Sequence, residues 1–139
     1  MMLIIAVALT LSHASCSKDD EHPVPYVHIH FEFNVIHYNL SNPGMSHQFL
    51  REESGGYRGI FVYRVSTDQF RAFDRACPIN PHSCTLSISE DSAVLVGADC
   101  SEAVFSLLDG SPVSGTSNYP LREYRTYFNS QTNRLLITH

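Results

Sequence analysis

Two cysteine-bearing loops separated by a short hairpin, all within residues 73–110, constrain this chain more than any other feature. Leu86 and Ile88 on one side and Val94 and Val96 on the other flank Ser89-Glu90-Asp91-Ser92, a polar turn. The pattern predicts paired strands over residues 85–88 and 93–96. Closing that hairpin brings the loop that ends at Cys84 towards the loop that begins at Gly97, and so Cys84 towards Cys100. Upstream, residues 70–73 alternate and deliver the chain to Cys77 and Pro78. Cys77, His82, Cys84 and Cys100 can then lie together.

The remaining patterns extend the sheet. Val27, Ile29, Phe31, Phe33 and Val35 alternate with polar residues, the two-residue period of a strand with one face on a core. Residues 59–65 are almost continuously apolar, as in a central strand buried on both faces. Residues 104–107, 121–128 and 134–137 read as further strands, a short strand is expected at 48–50, and 45–56 otherwise reads as irregular. Ser, Gly and Pro mark 111–120 as a surface loop. The expected fold class is all-β and antiparallel, in one domain, because 139 residues suit one core better than two. A formal charge of -5 offers no basic surface for a phosphate backbone, so nucleic acid is not expected as a partner.

Targeting signals decide how the cysteines are read. Residues 3–9 are an apolar run too short to span a bilayer, followed by small and polar residues up to Cys16. Residues 11–16, Leu-Ser-His-Ala-Ser-Cys, resemble a bacterial lipoprotein processing box. The Ser17-Lys18-Asp19-Asp20-Glu21 that follows resembles the export tag of Bacteroidetes surface lipoproteins. That resemblance implies a signal peptide over 1–15, an acylated Cys16 with a tether over 16–25, and a domain over 26–139. It further implies a lipid-anchored protein of the outer membrane, held in the bilayer through Cys16 and facing either the cell surface or the periplasm.

An exported chain meets an oxidising compartment, where cysteines brought together by a hairpin form a disulfide. A Cys84–Cys100 bond closes a loop of roughly 16 residues and contributes about 3 kcal/mol in the loop-entropy estimate. Cys77 is left to pair with Cys84 instead, to stay a buried thiol, or to join a metal site. A Cys77, His82, Cys84, Cys100 set has the chemistry to hold zinc, although it lacks the paired Cys-x2-Cys spacing of a zinc knuckle. A disulfide-based redox function, with Cys77 exchanging into the Cys84–Cys100 bond, is a further reading. His28 and His30 share the polar face of the first strand without other ligands nearby in the pattern. Asp74 and Arg75 read as structural or loop-capping groups.

The approach Ala72-Phe73-Asp74-Arg75-Ala76-Cys77-Pro78, the exit over residues 105–115 and the return Pro120-Leu121-Arg122-Glu123-Tyr124 together resemble a Rieske domain, which carries a [2Fe-2S] cluster between two loops. That family's loops have the forms Cys-x-His-x-x-Cys and Cys-x-Cys-His-Gly-Ser. The resemblance places Cys77 on the first iron-ligating cysteine and Cys84 and Cys100 on the disulfide pair. It places Ile79 and Ser101 on the two histidines and Ala98 on the second ligating cysteine. One of the four cluster ligands is thus kept, whereas a Rieske centre takes two cysteines and two histidines. The reading that follows is a non-catalytic envelope lipoprotein that expects no cofactor and binds an unidentified envelope protein or ligand. The alternative is an electron-transfer or redox-accessory protein with an atypical [2Fe-2S] centre, or zinc, in which His82 is a displaced ligand.

Overall fold

The alternation after residue 26 becomes strand β1 only over His30–Asn34. Its partner, β10 (Arg134–Thr138), runs antiparallel to it with His30 opposite Thr138, so residues before 30 have no strand to pair with. Ile29 and Phe33 are nevertheless buried, with Val27 and Phe31 packed against the same cluster, so the two-residue period outlasts the strand. Asn34 accepts a hydrogen bond from Ile36 N through Oδ1 and starts a 3-10 turn, Val35–Tyr38. The structure, a computed structural model, describes residues 21–139. The expected signal peptide, the lipid-bearing Cys16 and most of its tether lie outside the described residues.

β2 (Ser46–Phe49) leads into a single helical turn, α1 (Arg51–Ser54), where the sequence reading expected irregular chain. The chain re-enters the sheet as β3 (Ile60–Arg64), buried at every position. A strand buried on both faces serves two cores, and its side chains alternate between them. Ile60 and Val62 join one apolar cluster, while Phe61 and Tyr63 join the other. The next strand, β4 (Phe70–Asp74), pairs with β3 and divides the same way, Phe70 and Ala72 against Phe73.

The hairpin β5 (Leu86–Ser89) and β6 (Ser92–Ala98) follows, with Leu86 opposite Ala98. β7 (Val104–Ser106) pairs with β6, and β8 (Pro112–Ser114) pairs with β7. β8 falls inside the expected surface loop. It is exposed throughout and starts on Pro112, which an edge strand accepts because no ladder needs its missing N–H. β9 (Glu123–Asn129) returns to pair with β10 and β4. Among the described residues the result is two antiparallel sheets, six strands in the order β1-β10-β9-β4-β3-β2 and four in the order β5-β6-β7-β8. No helix among them is long and apolar enough to cross a membrane.

Exposed pairs decorate this frame without holding it. Arg134 Nε lies 2.7 Å from Glu32 Oε1 across β10 and β1, and both side chains are nearly half exposed. Replacing Arg134 with alanine changes the folding free energy by less than about 0.5 kcal/mol, measured by urea denaturation, because water and salt screen such a pair.

Candidate functional site

The site is built where the two sheets exchange chain. After β4 the backbone continues as a short ribbon: Ala76 bridges Thr85, Leu86 N donates to Arg75 O at 2.8 Å, and Cys77 N donates to Cys84 O at 3.1 Å. Cys77 therefore stands directly across from Cys84. Between them Cys84 N donates to Asn80 O at 2.9 Å, and the buried Pro78 and Pro81 stiffen the turn. On its other side, the β5–β6 register runs on past Leu86 and Ala98. Thr85 N donates to Asp99 Oδ1 at 3.2 Å and Asp99 N donates to Thr85 O at 3.3 Å, which sets Cys84 opposite Cys100. Cys84 and Cys100 form a disulfide with Cα atoms 5.6 Å apart, the spacing of directly opposed strand residues.

A clamp anchored on Asp74 holds the first loop. Burial pushes the Asp74 carboxyl above its usual range, although Tyr57 N, Ala76 N, Tyr124 Oη and Arg58 N all donate to it. Burial also raises the Tyr124 hydroxyl, and the adjoining Asp74 adds to the effect. Fixed in this way, the Tyr57-Arg58 segment reaches over the loop. Arg58 Nε donates to Pro81 O at 2.7 Å, Nη1 to Thr85 Oγ1 at 3.2 Å, and Nη2 to His82 O. The Tyr57 hydroxyl and His82 Nδ1 share a hydrogen bond of 2.6 Å. Arg75 Nε donates to Leu86 O at 3.2 Å, which ties the ribbon to β5. Asp74 and Arg75 are thus both occupied in positioning the loop.

The disulfide is asymmetric: Cys84 is fully buried, and Cys100 is exposed. Asp99, also exposed, brings a carboxylate oxygen beside it. Sulfur and oxygen atoms of Cys84, Asp99 and Cys100 all lie within 4.8 Å of one another. Among the described residues this is the one group of three or more metal-ligating side chains so gathered, and neither Cys77 nor His82 joins it. Cys77 is buried beside Cys84, and His82 is turned to Tyr57. Asp99 was missed in the sequence because an exposed aspartate in a turn carries no signal of its own. Its place two residues after Gly97, where the hairpin register continues to Thr85, is what could have found it.

The positions that the Rieske resemblance assigns to a cluster can be tested on the same loops. Ile79 and Ser101 do line one hollow of about 250 Å³, so the loops face each other there. Ile79 brings only an apolar side chain, Ser101 Oγ accepts from Ala103 N at 3.3 Å, and Ala98 has no donor atom. With Cys77 the only sulfur among the four, these residues do not fit a [2Fe-2S] cluster of the Rieske kind.

No protein-family model and no curated protein matches the chain. Solved structures do resemble it. The ferredoxin of carbazole 1,9a-dioxygenase from Nocardioides aromaticivorans IC177 superposes with a TM-score of 0.51 at 14% identity, over 81% of this chain and 95% of that one. A chain from the complex of reduced oxygenase and oxidized ferredoxin in carbazole 1,9a-dioxygenase gives 0.49 at 21% identity, over 70% and 91%. A small subunit described as that of an NADH-dependent nitrite reductase from Mycobacterium tuberculosis gives 0.48 at 13%, over 82% and 97%. At these identities the likeness is one of fold, and it rests on the first of the three. The expectation of a binding module that needs no cofactor is corrected here. Two cysteines and an aspartate form a candidate metal site at the junction of the loops, on a fold shared with a ferredoxin. An antiparallel β fold of Rieske type is the architecture of this chain.

Proposed function

We propose that this chain is a redox component, an electron carrier or accessory rather than a catalyst, working through the Cys84–Cys100 couple and Asp99. The observation that carries the reading is the gathering of ligand atoms from these three side chains within 4.8 Å, with Cys100 an exposed residue. Two electrons and two protons from a dithiol reductant convert the disulfide into two thiols. Loss of both thiol protons to solvent then leaves two soft thiolates and one hard carboxylate, a mixed set suited to a borderline divalent ion such as zinc with one position left open. Thr85 N, bonded to Asp99 Oδ1, orients the carboxylate in the oxidised form. On this reading the loops depart from the Rieske pattern by moving the redox chemistry from the cluster positions to the cysteine pair.

Titration of the reduced protein with Co²⁺ tests this. Thiolate-to-cobalt absorption is expected in the wild type and is lost in Cys100→Ser. Asp99→Asn weakens binding at least about tenfold, the loss that even an outer-shell partner costs. No such absorption in the reduced wild type would sink the metal reading. A bond still oxidised at potentials below about -300 mV would make the disulfide purely structural. Iron and labile sulfide, assayed on protein produced anaerobically, separate a single ion from a cluster.

The processing box and acidic tag support a Bacteroidetes-type surface lipoprotein, anchored in the outer membrane through acylated Cys16, with the redox partner in the envelope. Incorporation of labelled palmitate into the wild type, and its absence in Cys16→Ala, is the expected result.

A further inference from the structure

A cavity of about 450 Å³ opens between α1 and the first cysteine loop, within the range of roughly 300–1,000 Å³ typical of ligand sites. Its wall carries three guanidinium groups, Arg51, Arg58 and Arg75, against one carboxylate, Glu52. The chain has a formal charge of -5 and nine Lys and Arg residues in all, so this concentration of positive charge runs against its composition. Arg75 is only 6% exposed. Its Nε and Nη1 donate to Leu86 O and, at 3.4 Å, to Phe49 O, while among the described residues no acceptor meets Nη2. Arg58 is held rigidly by backbone carbonyls and Thr85, neutral groups that leave its charge in place. Arg51 is exposed and makes no ion pair among the described residues. Asp74, the acidic group whose charge acts on Arg75, has its oxygens occupied by Tyr57, Arg58, Ala76 and Tyr124.

We infer that this cavity is a binding site for a small oxyanion, a ligand whose phosphate or carboxylate group docks on the free edge of Arg75 and is closed over by Arg51. A guanidinium fixed before the ligand arrives presents its donors at little entropic cost, and its fork matches oxyanion geometry. Leu50 adds an apolar side chain to the wall, but the three guanidinium groups favour an anionic occupant over an apolar one. Glu52, the one carboxylate in the wall, leaves the cavity with a net positive lining. The site uses none of the atoms of the cysteine couple, so it stands or falls independently of the redox reading.

Calorimetric titration of the full chain at low ionic strength, with inorganic phosphate in one arm and succinate in the other, tests the inference. Chloride at matched ionic strength is the control. Saturable one-to-one binding of at least one oxyanion is expected, with no competition from chloride, and the tighter arm identifies the docking group. Arg51→Ala weakens that binding about tenfold or more while leaving the thermal midpoint of the free protein in place, since its side chain supports nothing in the fold. Arg75→Lys weakens it as well by removing the fork. Absence of saturable binding by either anion up to about 10 mM, a range in which even weak specific sites fill, would overturn the assignment. Undiminished binding in both variants would do the same.

Discussion

Replacing Asp74 with alanine destabilises the protein by about 4 kcal/mol, a large share of the roughly 5–15 kcal/mol that a domain of this kind has. The carboxylate is fully buried and takes hydrogen bonds from Tyr57 N at 2.6 Å, Arg58 N at 3.1 Å, Ala76 N at 2.8 Å and Tyr124 Oη at 2.8 Å. Alanine strands all four donors, each at a cost of about 1–3 kcal/mol that entering water only partly offsets. Asparagine keeps the shape and the two bonds to Oδ1, but its amide meets the Tyr57 N–H donor to donor, so Asp74→Asn loses about 2 kcal/mol. Urea denaturation at neutral pH measures both. Acid gives a second signature. Burial holds the native carboxyl above its usual range, so the native state binds the proton more tightly than the unfolded chain does. The proton-linked part of this group's contribution, separate from its hydrogen bonds, is fully present below the unfolded value of 3.8 and is lost as pH rises through the raised native value. Relative to Asp74→Asn, the wild type therefore gains stability as pH falls through that window. A pH-independent difference between the two would count against the raised value.

How much of this was open to a reader of the sequence varies by element. β3 was legible because a strand buried on both faces must be apolar at almost every position, and residues 59–65 are. β1 was legible in its period but not in its start, since pairing depends on how far the partner strand β10 extends. α1 and β8 were hidden. One is a single turn fixed by its setting between β2 and β3, the other an exposed edge whose only reason to be extended is the neighbouring β7. Within the site, the cysteines carried their own signal, and the hairpin between them carried their proximity. Asp99 and Arg58 carried none. Both act through register: Asp99 by falling opposite Thr85, and Arg58 by standing 24 residues from the His82 carbonyl it holds. A binding module without a cofactor becomes a candidate metal site only in three dimensions, because a carboxylate adds to two sulfurs only once the strands are laid side by side.

Removing the Cys84–Cys100 bond, by reduction or by the double change Cys84→Ser and Cys100→Ser, lowers stability by about 3 kcal/mol for a sequence separation of 16. The variant has the harsher test, because serine places a hydroxyl in the apolar pocket that holds the fully buried Cys84 among Phe61, Phe105 and Leu107. Reduction alone isolates the cross-link. The same energy acts in the opposite direction on the chemistry. If the bond stabilises the fold by about 3 kcal/mol, the fold stabilises the bond equally, and the couple is displaced by about 65 mV to lower potential than in the unfolded chain. A dithiol that binds a metal only in the folded state reverses part of that displacement. Ligation stabilises the reduced protein by an amount that grows with metal concentration, so Zn²⁺ restores part of the thermal midpoint lost on reduction and draws the measured potential upward. Thermal scans of oxidised, reduced, and reduced zinc-loaded protein are expected to rank in the order oxidised, zinc-loaded, reduced. Equal midpoints for the last two would leave the three side chains of the couple without a metal to hold.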